Sequence, residues 1–380
     1  MKAGWEEKTV GEILQLEYGK PLDAADRVSN GRYPVYGANG EIGRTNKFYY
    51  SKPSIIVGRK GSAGEINLSE EKFWPLDVTY FVTLDEQRYD LCFVFYLLAA
   101  LDIPKLAKGV KPGINRNEVY AQVAKVPPLP EQHRIVVLLD EAFDSIATAK
   151  ANTEKNLQNA RALFESHLQW VFTERGEGWV EVPLSELCEI KHGYAFEGKF
   201  FASEGDYVLL TPGNFYENGG YRDRGKKQKY YTGAIPHEYV LYEGDLLVAM
   251  TEQASGLLGS PILVPESDKF LHNQRLGLVT KKSGAAWTNE FFFHVFNTHT
   301  VRKEIHRSAS GVKVRHTSPT KIGQVFVAFP TSTIEQKRIV ATLASLTNET
   351  QHLESLYRQK LTALDELKKS LLHQAFSGAL

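Results

Sequence analysis

The sequence is written twice, and this limits what it can fold into. Residues 131–173 (EQHRIVVLLDEAFDSIATAKANTEKNLQNARALFESHLQWVFT) align without a gap on residues 335–377 (EQKRIVATLASLTNETQHLESLYRQKLTALDELKKSLLHQAFS), at an offset of 204. Eleven of these 43 positions are identical, among them Glu131/Glu335, Arg134/Arg338, Ile135/Ile339, Leu157/Leu361, Ser166/Ser370 and Phe172/Phe376. A weaker echo, at an offset of 174, joins Trp5, Glu7, Glu12 and Gly19 to Trp179, Glu181, Glu186 and Gly193. Each half is therefore a globular segment followed by a helical one. Two like modules with divergent globular parts point to related but different tasks.

Both helical segments lack Gly and Pro from Glu131 to Arg175 and from Ile334 to Ser377. Pro127, Pro128 and Pro130 are expected to stop any helix before the first, and Gly176 and Gly178 to end it. Apolar residues recur at spacings of three and four. Leu139, Ile146, Leu157 and Phe164 mark the seam of the first helix, with one gap at Thr153. Leu343, Leu353, Leu364 and Leu371 mark the seam of the second. Roughly 40 helical residues span about 60 Å. A lone helix of this kind cannot bury its seam, so the two are expected to pair antiparallel, with a globular part at either end.

The globular segments read as mixed α/β (α+β) with a strand majority. SIIVGRKGSAGEINL reads as two strands around a Gly-rich turn, and TYFVTL, GDLLVAM and GSPILVP read as further strands. A helix-like apolar stretch follows in each, Leu91 to Leu106 and Glu290 to Ile305. The boundaries expected are a globular domain over 1–128, a helix over 129–176, a second globular domain over 177–330 and a second helix over 331–380.

The net charge is zero, which argues mildly against a polyanionic partner; clustering argues the other way. Arg222, Arg224, Lys226 and Lys227 lie among tyrosines. Arg302, Lys303, Arg307, Lys313, Arg315 and Lys321 face only Glu304 within residues 299–321. Matched basic loops, KGVKPGINRNEV and SGVKVRHTSPTKI, occupy corresponding places in the two halves. They carry Lys108, Lys111 and Arg116 in one, and Lys313, Arg315 and His316 in the other. Lysines there suit phosphates, and arginines suit phosphate or guanine. Other loops have side chains fit for base edges. These are Tyr36, Asn39 and Arg44 in and beside YGANG; Arg59, Lys60 and Ser62 of GRKGSAG; Glu252 and Gln253 of TEQASG; and Asn273, Gln274 and Arg275 of HNQR. Each of these, taken singly, also fits an ordinary turn.

Signs of catalysis are missing from the sequence. It has no Walker lysine, no GxSxG, no HExxH, no Cys/His metal spacing and no Asn-Pro-Pro-aromatic tetrapeptide. Cys92 and Cys188 lie in apolar stretches and read as core thiols in a reducing compartment, which points to the cytoplasm. The longest apolar run is too short for a membrane span.

These motifs resemble the specificity subunits of Type I restriction–modification systems. VPPLPEQHRIV and VAFPTSTIEQKRIV look like the starts of that family's helical regions. YPVYGANGEIG, IIVGRKGSAG, GINRNEV, HGYAF, GDLLVAM and LHNQRLGLV look like parts of its target-recognition domains. The resemblance implies a chain that reads double-stranded DNA and catalyses nothing. Its two target-recognition domains would each read one part of a bipartite asymmetric sequence. Its helices would set the spacer and dock two methyltransferase (M) subunits, which restriction (R) subunits would join. No cofactor is expected on the chain itself: S-adenosylmethionine, ATP and Mg would belong to the partners. Two alternatives stay open, the specificity subunit of a Type IIB-like methyltransferase–nuclease and a coiled-coil scaffold for proteins.

Overall fold

The computed structural model describes residues 4–253 and 256–380. They form two compact units, one of residues 1–156 with 357–380, the other of residues 157–356.

The first unit is built on an antiparallel sheet in the order Leu14–Tyr18, Thr79–Leu84, Ser54–Gly58, Ile66–Ser69. Ser54–Gly58 is buried along its whole length, as its unbroken apolar run requires. Gly58 ends it because nothing larger fits: a Cβ there would lie 2.1 Å from the Ser62 carbonyl oxygen and 2.6 Å from that of Ala38. A second small sheet runs Arg27–Val28, Gly40–Thr45, Tyr33–Gly37, Trp74–Pro75, its last pair parallel. A two-stranded ribbon pairs Glu6–Thr9 with Val123–Val126.

The second unit repeats this plan strand for strand. Its main sheet runs Cys188–His192, Leu276–Lys281, Leu246–Ala249, Pro261–Leu263, all antiparallel. Its small sheet runs Phe201–Ala202, Tyr230–Tyr231, Tyr207–Leu209, Phe270–Leu271, the last pair again parallel. Its ribbon pairs Trp179–Pro183 with Phe326–Pro330. The sequence echo of Trp5 and Trp179 is thus the trace of a shared topology.

A helix packs on each main sheet. Leu91–Ala100 starts at Asp90, whose carboxylate accepts the Phe93 N–H at 2.8 Å, and it buries Phe93, Val94, Leu97 and Leu98. Each such side chain contributes about 1.5–3 kcal/mol when fully buried. In the second unit the stretch expected as one helix is two, Asn289–Asn297 and His299–Ser308. The break is Thr298, which takes extended backbone angles (φ −64°, ψ 144°). Its hydroxyl donates to the Val295 carbonyl at 2.8 Å and accepts the Val301 N–H at 3.4 Å, closing one helix and capping the next.

The long helices are Leu129–Thr173 and Thr333–Ser377. Pro130 does not stop the first. It sits in the opening turn, where a missing N–H costs nothing because no carbonyl awaits it. In the first unit the two helices run antiparallel, as Lys150–Asp365 (2.7 Å) and Arg134–Leu380 (3.2 Å) show. There Leu139 and Ile146 are buried, Leu371 packs on the core and Leu364 is half-buried. In the second unit Arg161 pairs with Glu354 at 3.1 Å. Leu343 is buried there, and Leu157, Phe164 and Leu353 are half-buried. The gap at Thr153 is buried too; its hydroxyl donates to the Ala149 carbonyl at 2.7 Å and so needs no partner across the seam. Among the described residues no helix is long and apolar enough to cross a membrane.

Candidate nucleic-acid interface

In the recurring Glu-Gln-x-Arg-Ile-Val motif, the glutamine has a structural task. Gln132, buried, accepts the Asp90 N–H at 2.9 Å and donates to the carbonyls of Arg88 (3.0 Å) and Pro127 (2.9 Å). Gln336 does the same in the second unit. It accepts from the Thr288 N–H (3.0 Å) and donates to Ala286 (2.8 Å) and Pro330 (3.0 Å). Asp90 and Thr288 are the caps of the sheet-packed helices. One amide therefore bolts each long helix to the start of its neighbour. Sequence reasoning noted the motif without seeing this role, although the repetition of Gln was its signal.

The matched basic loops are hairpins. In the first, Lys108 and Gly113 exchange two backbone hydrogen bonds (2.9 and 3.0 Å). In the second, Ser310 and His316 do so (3.0 and 2.8 Å). Both are tied to the same point of the main sheet, just past its central strand. The Ile114 N–H donates to the Arg59 carbonyl at 3.1 Å, and the Thr317 N–H to the Met250 carbonyl at 3.0 Å. Each is followed by a short capped turn. Asn115 caps Arg116–Tyr120, and Ser318 caps Pro319–Gly323.

In the first unit this brings GRKGSAG and KGVKPGINRNEV onto one face. Lys60 bridges Gly113, and Gly61 donates to the Pro112 carbonyl at 2.9 Å. Arg59 and Arg116 both lie over the ring of exposed Tyr18, each 5.2 Å from its centroid. Tyr18 was missed in the sequence because one tyrosine in a strand carries no signal. Its neighbour Tyr80, 5.1 Å away, has its phenol pushed up to about 12, chiefly by burial, and stays neutral. Lys60 and Lys111 are exposed, Ser62 is half-buried, and Lys108 is exposed but ion-paired with Glu118 at 2.7 Å. The YGANG turn lies beside this face through the close approach of Ala38 to Gly58. Asn39 is exposed there, whereas Tyr36 is buried edge-on against Phe73. Arg44 is half-buried, and its guanidinium serves the fold by donating to the carbonyls of Gly31 and Arg32 at 2.9 Å each.

In the second unit TEQASG, HNQR and the hairpin converge. Thr251–Glu252 pairs with Arg315–His316, and the Met250 N–H donates to the Arg275 carbonyl at 3.0 Å. Glu252 is buried. One carboxylate oxygen accepts the N–H groups of Gly256, Leu257 and Leu258 at 2.9–3.1 Å, and the other accepts Arg315 at 3.1 Å. Arg315, half-buried, also donates to the His306 carbonyl. The pair therefore holds two loops together. Ala254 and Ser255 of TEQASG lie outside the described residues. Gln253, Gln274, Arg275, Lys313 and His316 are exposed. Asn273 is buried, its side-chain oxygen accepting the Arg275 N–H at 3.0 Å. Arg222 lies over Tyr216 (5.9 Å), and half-buried Arg224 lies against Gly213. Lys226 and Lys227 are exposed on a separate turn, Gly225–Lys227.

Residues 2–159 and 176–363 match the family described as the Type I restriction modification DNA specificity domain. The specificity subunit of the Type I restriction enzyme EcoBI of Escherichia coli is 24% identical over 233 residues, 60% of this chain and 44% of that protein. The chain thus spans less than half the length of that relative. Among solved structures, a chain from work on complex assembly and conformational transition of the type I R-M system superposes with a TM-score of 0.75 at 16% identity, covering 100% of this chain and 99% of that one. The HsdS subunit of Thermoanaerobacter tengcongensis gives 0.66 at 17% identity, covering 100% and 98%. These structural likenesses speak to the fold. The match over most of the sequence speaks to descent, and by it the chain belongs to the Type I restriction modification DNA specificity domain family.

Proposed function

We propose that this chain is a non-catalytic DNA reader that recognises a bipartite asymmetric sequence and directs methyltransferase and restriction subunits to it. One observation carries the reading: each unit ties a basic hairpin to the same point of its main sheet, and surrounds it with different polar loops. A shared frame gives both units the same way of meeting a duplex, and different loops give them different bases to read. The exposed lysines, Lys60 and Lys111 in one unit and Lys313 in the other, hold phosphates. Asn39, Gln253, Gln274 and Arg275 have the donors and acceptors to read base edges. Glu252 and Arg315 position the second unit's loops, their charges being spent on each other. The domains that read are residues 1–128 and 177–330, and residues 129–176 and 331–380 set the spacing. S-adenosylmethionine, ATP and Mg belong to the partners, of which two are methyltransferase subunits.

The test is binding by the complex of this chain with its methyltransferase subunits. Lys111→Ala and Lys313→Ala should each weaken binding to every sequence and lower the slope of log affinity against log salt by about one unit. An unchanged slope and affinity in both variants would remove the hairpins from the interface.

A further inference from the structure

The two hairpins share more than charge. Each has the sequence Gly-Val-Lys at its tip, Gly109-Val110-Lys111 and Gly311-Val312-Lys313. In each the valine follows by two residues the position that closes the hairpin, Lys108 or Ser310. Both glycines have positive φ, +95° and +100°, a conformation that L side chains rarely adopt. At Gly311 a Cβ would also meet the Val314 carbonyl oxygen at 2.1 Å. The turn is therefore specified by its geometry. Val110 and Val312 are 108% and 97% exposed, more than any other large hydrophobic among the described residues.

A single exposed valine needs no explanation. Two at the same place in units that otherwise diverge do. Packing cannot be the reason, because neither valine is covered. Turn propensity cannot be the reason either, because β-branched residues are poor choices at a tight tip. What is retained is an apolar group held out beside a lysine, on a hairpin bolted to the sheet.

We infer that Val110 and Val312 are base-reading residues, each resting its methyl groups on the 5-methyl group of a thymine in the major groove while the adjacent lysine holds a phosphate. This rests on the DNA-reading function proposed above. The chemistry fits, since the thymine methyl is the one apolar feature that the major groove presents and a small aliphatic group is what contacts it. A contact made at both tips gives each half-site one thymine read in the same manner.

The complex of this chain with its methyltransferase subunits is first used to select its sequence from duplexes of random sequence. Each thymine of the selected site is then replaced in turn by uracil, which lacks only that methyl. The wild type should lose about three- to ten-fold in affinity at one thymine in each half-site. V110S should abolish the sensitivity in the half-site read by the first unit alone, and V312S that in the half-site read by the second. Both variants should fold and assemble normally, their side chains being fully exposed. The inference is overturned if no uracil substitution matters, if the sensitivity survives in the variants, or if the variants lose subunit assembly instead, which would make the tips protein contacts. Failure of the wild type to select any sequence would instead remove the DNA-reading function, and the inference with it.

Discussion

Gln132 and Gln336 carry more of the architecture than their polarity suggests. Each satisfies one backbone N–H and two backbone carbonyls where a long helix meets a sheet-packed one. Truncation leaves those groups buried and unpaired, at a cost of about 1–3 kcal/mol. Gln336→Ala should lower the midpoint of chemical unfolding accordingly, and an unchanged midpoint would mean that water replaces the amide without loss. Two histidines of the second unit, buried His272 and half-buried His294, give a pH prediction. Burial holds both His272 and His294 down at about 4, from an ordinary value of 6.5. Between those values the unfolded chain takes up protons that the folded chain refuses, so stability is full above about pH 6.5 and falls as pH drops towards 4. His294→Leu should flatten that dependence, which thermal unfolding across this window would record. None of these residues was legible as such. A glutamine in a helix or a histidine between phenylalanines gains its role only from what the chain folds over it.

At the scale of elements, the long helices were the most legible part, because Gly and Pro are absent and the apolar spacing is regular over dozens of residues. What failed were local rules applied without position: Pro130 opens a helix instead of barring it, and Thr298 divides one that its apolar content joins. The hairpins were legible as a matched pair of basic loops, but their attachment beyond the central strand was not, since Ile114–Arg59 and Thr317–Met250 are contacts between distant parts of the sequence. The seam gives a graded prediction. Leu343 is fully buried, so Leu343→Asp places a charge in the core of the second unit and should prevent folding. Leu157 is half-buried, and Leu157→Asp should cost less, reading out as weakened assembly with the methyltransferase subunits. Equal effects would mean that burial along the seam does not rank its positions. Four residues inserted after Asn152 would lengthen the helix by roughly 6 Å, about two base pairs of rise. The proposed spacer should then lengthen while the bases read stay the same, and a constant spacer would refute the ruler.

For the whole molecule, the repeat seen in the sequence proves to be a repeat of topology, with the same strand order in both units and the same parallel pair closing each small sheet. Identity survives best in the helices, where packing restricts residues; under the proposed function the loops diverge because they would read different bases. That division is the reason the family could be approached from the sequence while individual contact residues could not. Most of the candidates are exposed, each within its own unit, whereas Tyr36, Glu252 and Asn273 turn out to be buried supports for their loops. The most direct test is to map methylated bases across the genome of a host expressing this chain with its methyltransferase subunits. The proposed function predicts one adenine-methylated motif made of two different specified blocks separated by a fixed run of unspecified bases, lost when this chain is omitted. A palindromic or unbroken motif, or methylation that persists without the chain, would contradict it.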